Sequence, residues 1–341
     1  MDDPFTVGLI GCGYAGEQHA RVYAALDAVH LRAVADTRVE RAASLARRTG
    51  VGMWHRDYRS ILRDPEIDAV SICLPHYLHA KVTVEAANSG KHVLCEKPMA
   101  NTLNEARDMV AAAHDAAVTL MIAETVRFHP INLRLKELLG EGLVGDVFFV
   151  RIARDHEMHD YLRSRPWFLD KAKAGGGIWM SGGIHDVDAL RMLVGEVETI
   201  TLCQAKKVLS DMEGDDTVAA LLRFVGGALG VVTESFSTKT FARVHPNGCP
   251  SVINGESGTL TVFMDEVELY RPAGSADEAT RLRIARGDPF TEEIRHFLHC
   301  LRTGGTPITS GEEAMKTLAV IHAGYDSVDR GGVPIAVTEV S

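Results

Sequence analysis

The sequence predicts an α/β chain in two parts. Residues 1–126 form a doubly wound parallel sheet, and residues 127–341 form an α+β domain with a large, mostly antiparallel open sheet. Three observations predict this. In the first third, apolar runs at 5–10, 30–35, 67–73, 93–95 and 118–123 alternate with helix-like stretches at 17–26, 38–48, 79–89 and 103–116. Strands separated by helices of that length make βαβ units, which require a parallel sheet. A glycine-rich turn follows the first strand directly. After residue 126 the alternation gives way to closely spaced strands.

The punctuation supports each element. Gly50 and Gly90 follow helical runs, as residues that end helices do. Asn101 and Thr102 precede another, as N-caps do. Strands are expected at 146–154, 198–208, 217–224 and 229–236, the last two joined as a hairpin around Gly226-Gly227. Further strands at 251–253, 259–263 and 267–270 precede two closing helices at 290–302 and 312–330. There is no repeat, low-complexity tract or long linker, so the boundary falls within 125–130.

A chain of 341 residues fits two domains, and 46% hydrophobic with 24% charged residues is enough for a core without staples. The net charge of −10 argues against nucleic acid or an anionic membrane as partner, because both need a basic face. No apolar run approaches the roughly 18 residues that span a bilayer. Met1 and the acidic Asp2-Asp3 lead straight into a strand, without a basic leader, which suggests a cytoplasmic protein. The six cysteines, Cys12, Cys73, Cys95, Cys203, Cys249 and Cys300, form no C-x-x-C pair, so no zinc ribbon or redox dithiol is expected. Cys73 and Cys95 read as inert core residues.

The turn after the first strand is Gly11-Cys12-Gly13-Tyr14-Ala15-Gly16, a G-x-G-x-x-G that opens a helix. Gly11 permits the tight turn, Gly13 admits a pyrophosphate close to the backbone, and Gly16 lets helix and strand pack. The pyrophosphate then meets the N–H groups and positive end of the helix dipole. Asp36 closes the second strand, where a carboxylate accepts hydrogen bonds from ribose hydroxyls and repels a 2′-phosphate. This favours NAD in a Rossmann domain. Thr37 and Arg38 follow. Arg38 leaves NADP open, since it is either a 2′-phosphate ligand or a solvated first-turn arginine.

The segment His156-Glu157-Met158-His159-Asp160 departs from H-E-x-x-H, and no metal is expected; it lines a cleft or forms a solvated loop. Trp167 stacks on a sugar ring or fills the core.

Two more stretches, Gly90-Lys91-His92-Val93-Leu94-Cys95-Glu96-Lys97-Pro98 and Gly175-Gly176-Gly177-Ile178-Trp179-Met180-Ser181-Gly182-Gly183-Ile184-His185-Asp186-Val187-Asp188, complete a pattern. Together with the glycine turn they closely resemble the glucose–fructose oxidoreductase / inositol dehydrogenase / rhizopine-catabolism (Gfo/Idh/MocA) family, over essentially the whole chain. Leu74-Pro75 with His79, and Arg127-Phe128-His129-Pro130, add smaller matches. The resemblance implies a Rossmann domain followed by an open-sheet α/β domain, and a homodimer or homotetramer packed through that sheet. It implies that Lys97 reaches nicotinamide and substrate hydroxyl, that Glu96 lies near the nicotinamide ribose, and that His185 is the acid/base. Leu74, Pro75 and His79 would border the cofactor, although His79 reads equally as a structural histidine at a helix start. Arg127, His156, Trp167 and Ser181 would face substrate. Two departures stand out. Ser181 occupies the family's usual Asp position, and Phe168 follows Trp167 where many members have arginine.

The expected reaction is hydride transfer between a secondary alcohol of a sugar, cyclitol or related ring polyol and NAD. A histidine titrates in the right range to take the hydroxyl proton, and a lysine ammonium stabilises a developing alkoxide. Lys97 and His185 are expected to supply these roles from opposite domains. If His185 is not the base, Lys97 is the leading candidate. Alternatives are an NAD-dependent glycosidase that oxidises its sugar transiently, a dihydrodiol dehydrogenase, and a non-catalytic NAD-binding regulator.

Overall fold

The computed structural model describes residues 4–239, 251–263, 266–271 and 279–337; Met1, Asp2, Asp3 and Cys249 lie outside the described residues. The chain divides into two compact units, Met1–Thr125 with Phe290–Met315, and Val126–Pro289 with Lys316–Ser341. The expected single crossing near residue 126 did not include this return of 290–315 to the first unit.

The first unit runs β1 (Phe5–Ile10), α1 (Tyr14–Ala25), β2 (Val29–Ala35), α2 (Val39–Thr49), β3 (Met53–His55), α3 (Arg59–Leu62), β4 (Ala69–Ile72), α4 (His79–Asn88), β5 (His92–Glu96), α5 (Leu103–Asp115) and β6 (Leu120–Ala123). All six strands pair in parallel, in the order β3-β2-β1-β4-β5-β6. β4 is buried at every position, as a central strand covered on both faces must be, and the edge strand β6 is equally buried, its Ile122 N–H donating to the Thr309 carbonyl at 2.8 Å. The order reverses between β1 and β4, and such a switch point opens a ligand crevice at the carboxyl ends of the strands. Gly50 ends α2 at φ 74°, and Thr102 caps α5 in a reciprocal capping box with Glu105. The short β3 was not expected. None of its three residues is buried, so it leaves no apolar run to detect.

The chain continues as α6 (Pro130–Gly140), β7 (Val147–Asp155), α7 (His159–Arg163), α8 (Lys171–Ala174), α9 (Ile184–Val194), β8 (Val197–Gln204), β9 (Thr217–Phe224), β10 (Leu229–Ser235), β11 (Val252–Gly255), β12 (Gly258–Val262), β13 (Glu266–Tyr270) and β14 (Thr280–Arg283). It closes with α10 (Pro289–Thr303), α11 (Gly311–Asp329) and β15 (Ile335–Ala336). The second unit holds one nine-stranded sheet, β14-β13-β12-β11-β7-β10-β9-β8-β15, in which only β7 and β10 pair in parallel. β9 alternates buried Val218, Ala220, Leu222 and Phe224 with outward residues, so one face is packed and the other open. The strand expected over 198–208 stops at Gln204. Asp216 instead accepts the N–H groups of Val208 and Leu209 at 2.7 and 2.6 Å, turning the chain out of the sheet.

Candidate active site

The glycine turn between β1 and α1 has the geometry its sequence requires. Gly11 sits at φ 99°, and a Cβ there would lie 2.1 Å from the Cys73 carbonyl oxygen. A Cβ on Gly16 would lie 2.0 Å from the Gly11 oxygen, so α1 packs onto its own turn only with glycine there. Gly13 differs. A Cβ there would meet nothing within 4 Å, and no side chain caps the α1 N-terminus, so the loop leaves room for an anion. Cys12 and Gly16 are buried, Ala15 is half-buried, and Tyr14 stands exposed at the rim. These residues fit the pyrophosphate of a dinucleotide.

Asp36, just past β2, is tied into the same turn. Its Oδ2 accepts from the Cys12 N–H at 3.0 Å and its Oδ1 from the Arg38 N–H at 2.8 Å. The carboxylate is thereby held beside the glycine loop, while the Thr37 and Arg38 side chains are exposed. Burial, then Asp36, pushes the Cys12 thiol up to about 12, which leaves it unreactive.

Leu74-Pro75 follows β4, and at the neighbouring strand end Glu96 closes β5 and Lys97 follows it. His79 joins these two loops. From the start of α4 its Nδ1 lies 2.7 Å from the Pro98 carbonyl and its Nε2 lies 2.8 Å from the Leu74 carbonyl. Both ring nitrogens therefore face backbone, and His79 organises the loops. Burial pulls His79 below its usual range, although the two carbonyls oppose it. Glu96 and Lys97 are half-buried, and the Lys97 N–H donates to Glu96 Oε2 at 3.2 Å. Burial pushes the Glu96 carboxyl up, but hydrogen bonding and charge from His19, with Lys97 and His79, outweigh it and hold the group below the usual range.

Sequence reasoning missed His19, Ser71, Tyr23 and Glu293, all fully buried or nearly so. A signal existed for two of them. His19 and Tyr23 share the i, i+3, i+4, i+7 face of α1 with Gly16 and Ala20, where a polar side chain must find partners.

In the second unit, His185 lies in the first turn of α9, directly after a π turn over Trp179–Gly183. Single π turns are frequent at functional sites. The turn is strongly anchored. Asp215 accepts from the Gly177 and Trp179 N–H groups at 3.0 and 2.8 Å, and from the Tyr325 hydroxyl at 2.9 Å. Tyr325 in turn accepts from the Gly177 and Met180 N–H groups, and the Trp179 indole donates to the Ile321 carbonyl at 3.1 Å. Ser181 donates back to the Gly177 carbonyl at 2.9 Å, which uses its hydroxyl proton within the turn. His185 and Ser181 are each 9% exposed.

Arg127 is buried and binds Asp188, one turn after His185. His156 directly follows β7 and packs against Phe236, with ring centres 5.9 Å apart. His159 is held by Ser237 at 3.0 Å and Glu157 at 3.3 Å. Among the described residues, no three His, Cys, Asp or Glu side chains group to hold a metal ion. Trp167 is half-buried and stacks on Phe168 at 3.9 Å; the tryptophan in the core is Trp179.

Comparison with known proteins places the chain. The model of the oxidoreductase family with an NAD-binding Rossmann fold matches residues 5–124, and the GFO/IDH/MocA C-terminal domain matches 132–261. The chain belongs to the Gfo/Idh/MocA oxidoreductase family. It is 30% identical to a D-apiose dehydrogenase from Paraburkholderia graminis over 96% of this chain and 88% of that one. It is 29% identical to the myo-inositol 2-dehydrogenase of Thermotoga maritima over 95% and 96%. A levoglucosan dehydrogenase solved with NADH superimposes with a TM-score of 0.89 at 26% identity, covering 99% of this chain and 100% of that one. As a Gfo/Idh/MocA member the chain is an oxidoreductase with an NAD-binding first domain, in keeping with the fit of the glycine loop and Asp36.

Proposed function

We propose that the protein is an NAD-dependent dehydrogenase acting on a secondary alcohol of a sugar, cyclitol or related ring polyol. The supporting observation is full-length similarity to dehydrogenases of such alcohols, combined with a glycine loop and Asp36 that fit a dinucleotide. Bound NAD supplies the hydride acceptor at the nicotinamide C4. Asp36 binds the adenosine ribose and discriminates against NADP. Lys97 polarises the reacting hydroxyl and stabilises its oxygen as negative charge develops. His185 takes the hydroxyl proton, and in the reverse direction returns it to the carbonyl oxygen. Ser181 cannot carry the charge of the family's usual aspartate, so the substrate is held there by a neutral group.

The open face of the nine-stranded sheet carries exposed Leu221 and Tyr270, which suits assembly as a homodimer or homotetramer. Five free cysteines among the described residues suit a reducing cytoplasm.

Lys97→Ala and His185→Ala test the assignment. Each should lower kcat by at least about 100-fold while NADH binding, read by fluorescence, stays near wild type. Full activity in His185→Ala would remove it as the base and leave Lys97 as the candidate.

A further inference from the structure

The first unit contains a buried polar chain that ends on Glu96. The Tyr23 hydroxyl lies 2.7 Å from Ser71 Oγ, and Ser71 Oγ lies 3.2 Å from His19 Nδ1. His19 Nε2 then lies 3.4 Å from Glu96 Oε1, within ion-pair distance but not aligned as a hydrogen bond. His19 and Ser71 have no exposed surface and Tyr23 has 1%.

One hydrogen-bond direction satisfies every proton of this chain. Burial raises the Tyr23 phenol far above its usual range, so it keeps its proton, and among the described residues Ser71 is its acceptor. In that direction Tyr23 donates to Ser71, and Ser71 donates to His19 Nδ1. A neutral imidazole that accepts at Nδ1 carries its proton on Nε2, which points to the Glu96 carboxylate.

The other groups facing Glu96 are Lys97, His79 from α4, Cys73 after β4, Cys95 within β5, and Glu293 from α10, which also feels Glu124. Glu293 is fully buried and neither of its oxygens has a hydrogen-bond partner. Burial, Glu96 and Glu124 all push its carboxyl up, so it stays neutral. His19 is thus a buried imidazole whose Nε2 faces the Glu96 carboxylate.

We propose that His19 is a positioning residue for the hydride-transfer site: through the chain Tyr23–Ser71–His19 it presents Nε2–H to Glu96 and keeps that carboxylate ionised and fixed beside Lys97. The proposal rests on the reading of Glu96-Lys97 as part of that site.

The test is the titration of the Glu96 carboxyl, read by 13C NMR, in wild type, His19→Leu and His19→Gln, with the activity of Lys97→Ala measured beside it. A hydrogen bond to a charged group corresponds to about one to two pH units. The Glu96 midpoint in His19→Leu should therefore move up by about that much, and His19→Gln, which keeps a side-chain N–H, should reverse most of the shift. An unmoved Glu96 midpoint overturns the proposal and leaves His19 a packing residue. Lys97→Ala separates the two ideas. If it retains activity, the site reading fails; if it is inactive while the Glu96 midpoint of His19→Leu stays put, only this inference fails. Should His19→Leu not fold, ring nitrogen NMR of the wild-type NADH complex decides. The Nε2–H tautomer of His19 at neutral pH supports the chain, and the Nδ1–H tautomer contradicts it.

Discussion

Arg127 grips Asp188 at two points, Nε to Oδ2 at 2.6 Å and Nη2 to Oδ1 at 2.9 Å, with both side chains buried. Asp188 Oδ1 also accepts from the Thr317 hydroxyl at 2.8 Å, and Thr317 accepts from Arg191 at 2.7 Å. One carboxylate thus joins the start of the second unit, the helix that carries His185, and α11. Their geometry makes Arg127 and Asp188 a brace behind the helix that carries His185.

Breaking this brace should be costly. Arg127→Met leaves Asp188 buried without its partner, which costs about 3–5 kcal/mol of stability. Arg127→Lys keeps the charge but cannot reproduce the two-pronged fork. Urea unfolding should show both variants destabilised, the methionine more. An Arg127→Lys variant as stable as wild type would contradict a fork-dependent pair.

Asp36 should decide cofactor preference. Its carboxylate is pre-oriented by the Cys12 and Arg38 N–H groups, so Asp36→Ala removes a fixed acceptor as well as a charge. Charge-assisted hydrogen bonds of this kind are worth about 1.5–3 kcal/mol, or about 10- to 100-fold. The kcat/KM for NAD should fall by that factor while that for NADP falls less. An unchanged ratio of the two would show that Asp36 does not discriminate.

Much of the first unit was legible because its strands are short, buried and separated by capped helices. Gly11, Gly13 and Gly16 could be assigned separate roles, since each backbone demand has its own chemistry. β3 was not legible, because an exposed three-residue edge strand leaves no apolar pattern. The halt of β8 at Gln204 depends on Asp216, a partner distant in sequence. The chain behind Glu96 was hidden for the same reason. His19, Ser71, Glu96 and Glu293 lie on four different elements, and local spacing carries no record of their meeting.

Glu234 on β10 should make stability fall as pH rises. It is buried, neither oxygen has a hydrogen-bond partner, and its Oε2 would lie 2.2 Å from a Cβ on Gly182. Burial and then Asp186 raise its carboxyl well above the usual 4.5, although Arg154 opposes them. The folded state therefore holds a proton that the unfolded state releases, so stability is full below the unfolded value and declines up to the folded one. Glu234→Gln has no proton to lose. Its stability relative to wild type should rise steadily as pH climbs above the unfolded carboxyl's range. Parallel stability curves for the two proteins would contradict a neutral Glu234.

The central claim is net hydride transfer to NAD. The most direct measurement is the amount of NADH formed per molecule of substrate consumed, across cyclitols, aldoses, glycosides and dihydrodiols. A dehydrogenase releases one NADH for each ring alcohol converted to a carbonyl. Cleavage of a glycoside without net NADH would show instead that the cofactor is reduced and reoxidised within each turnover, and would contradict the account.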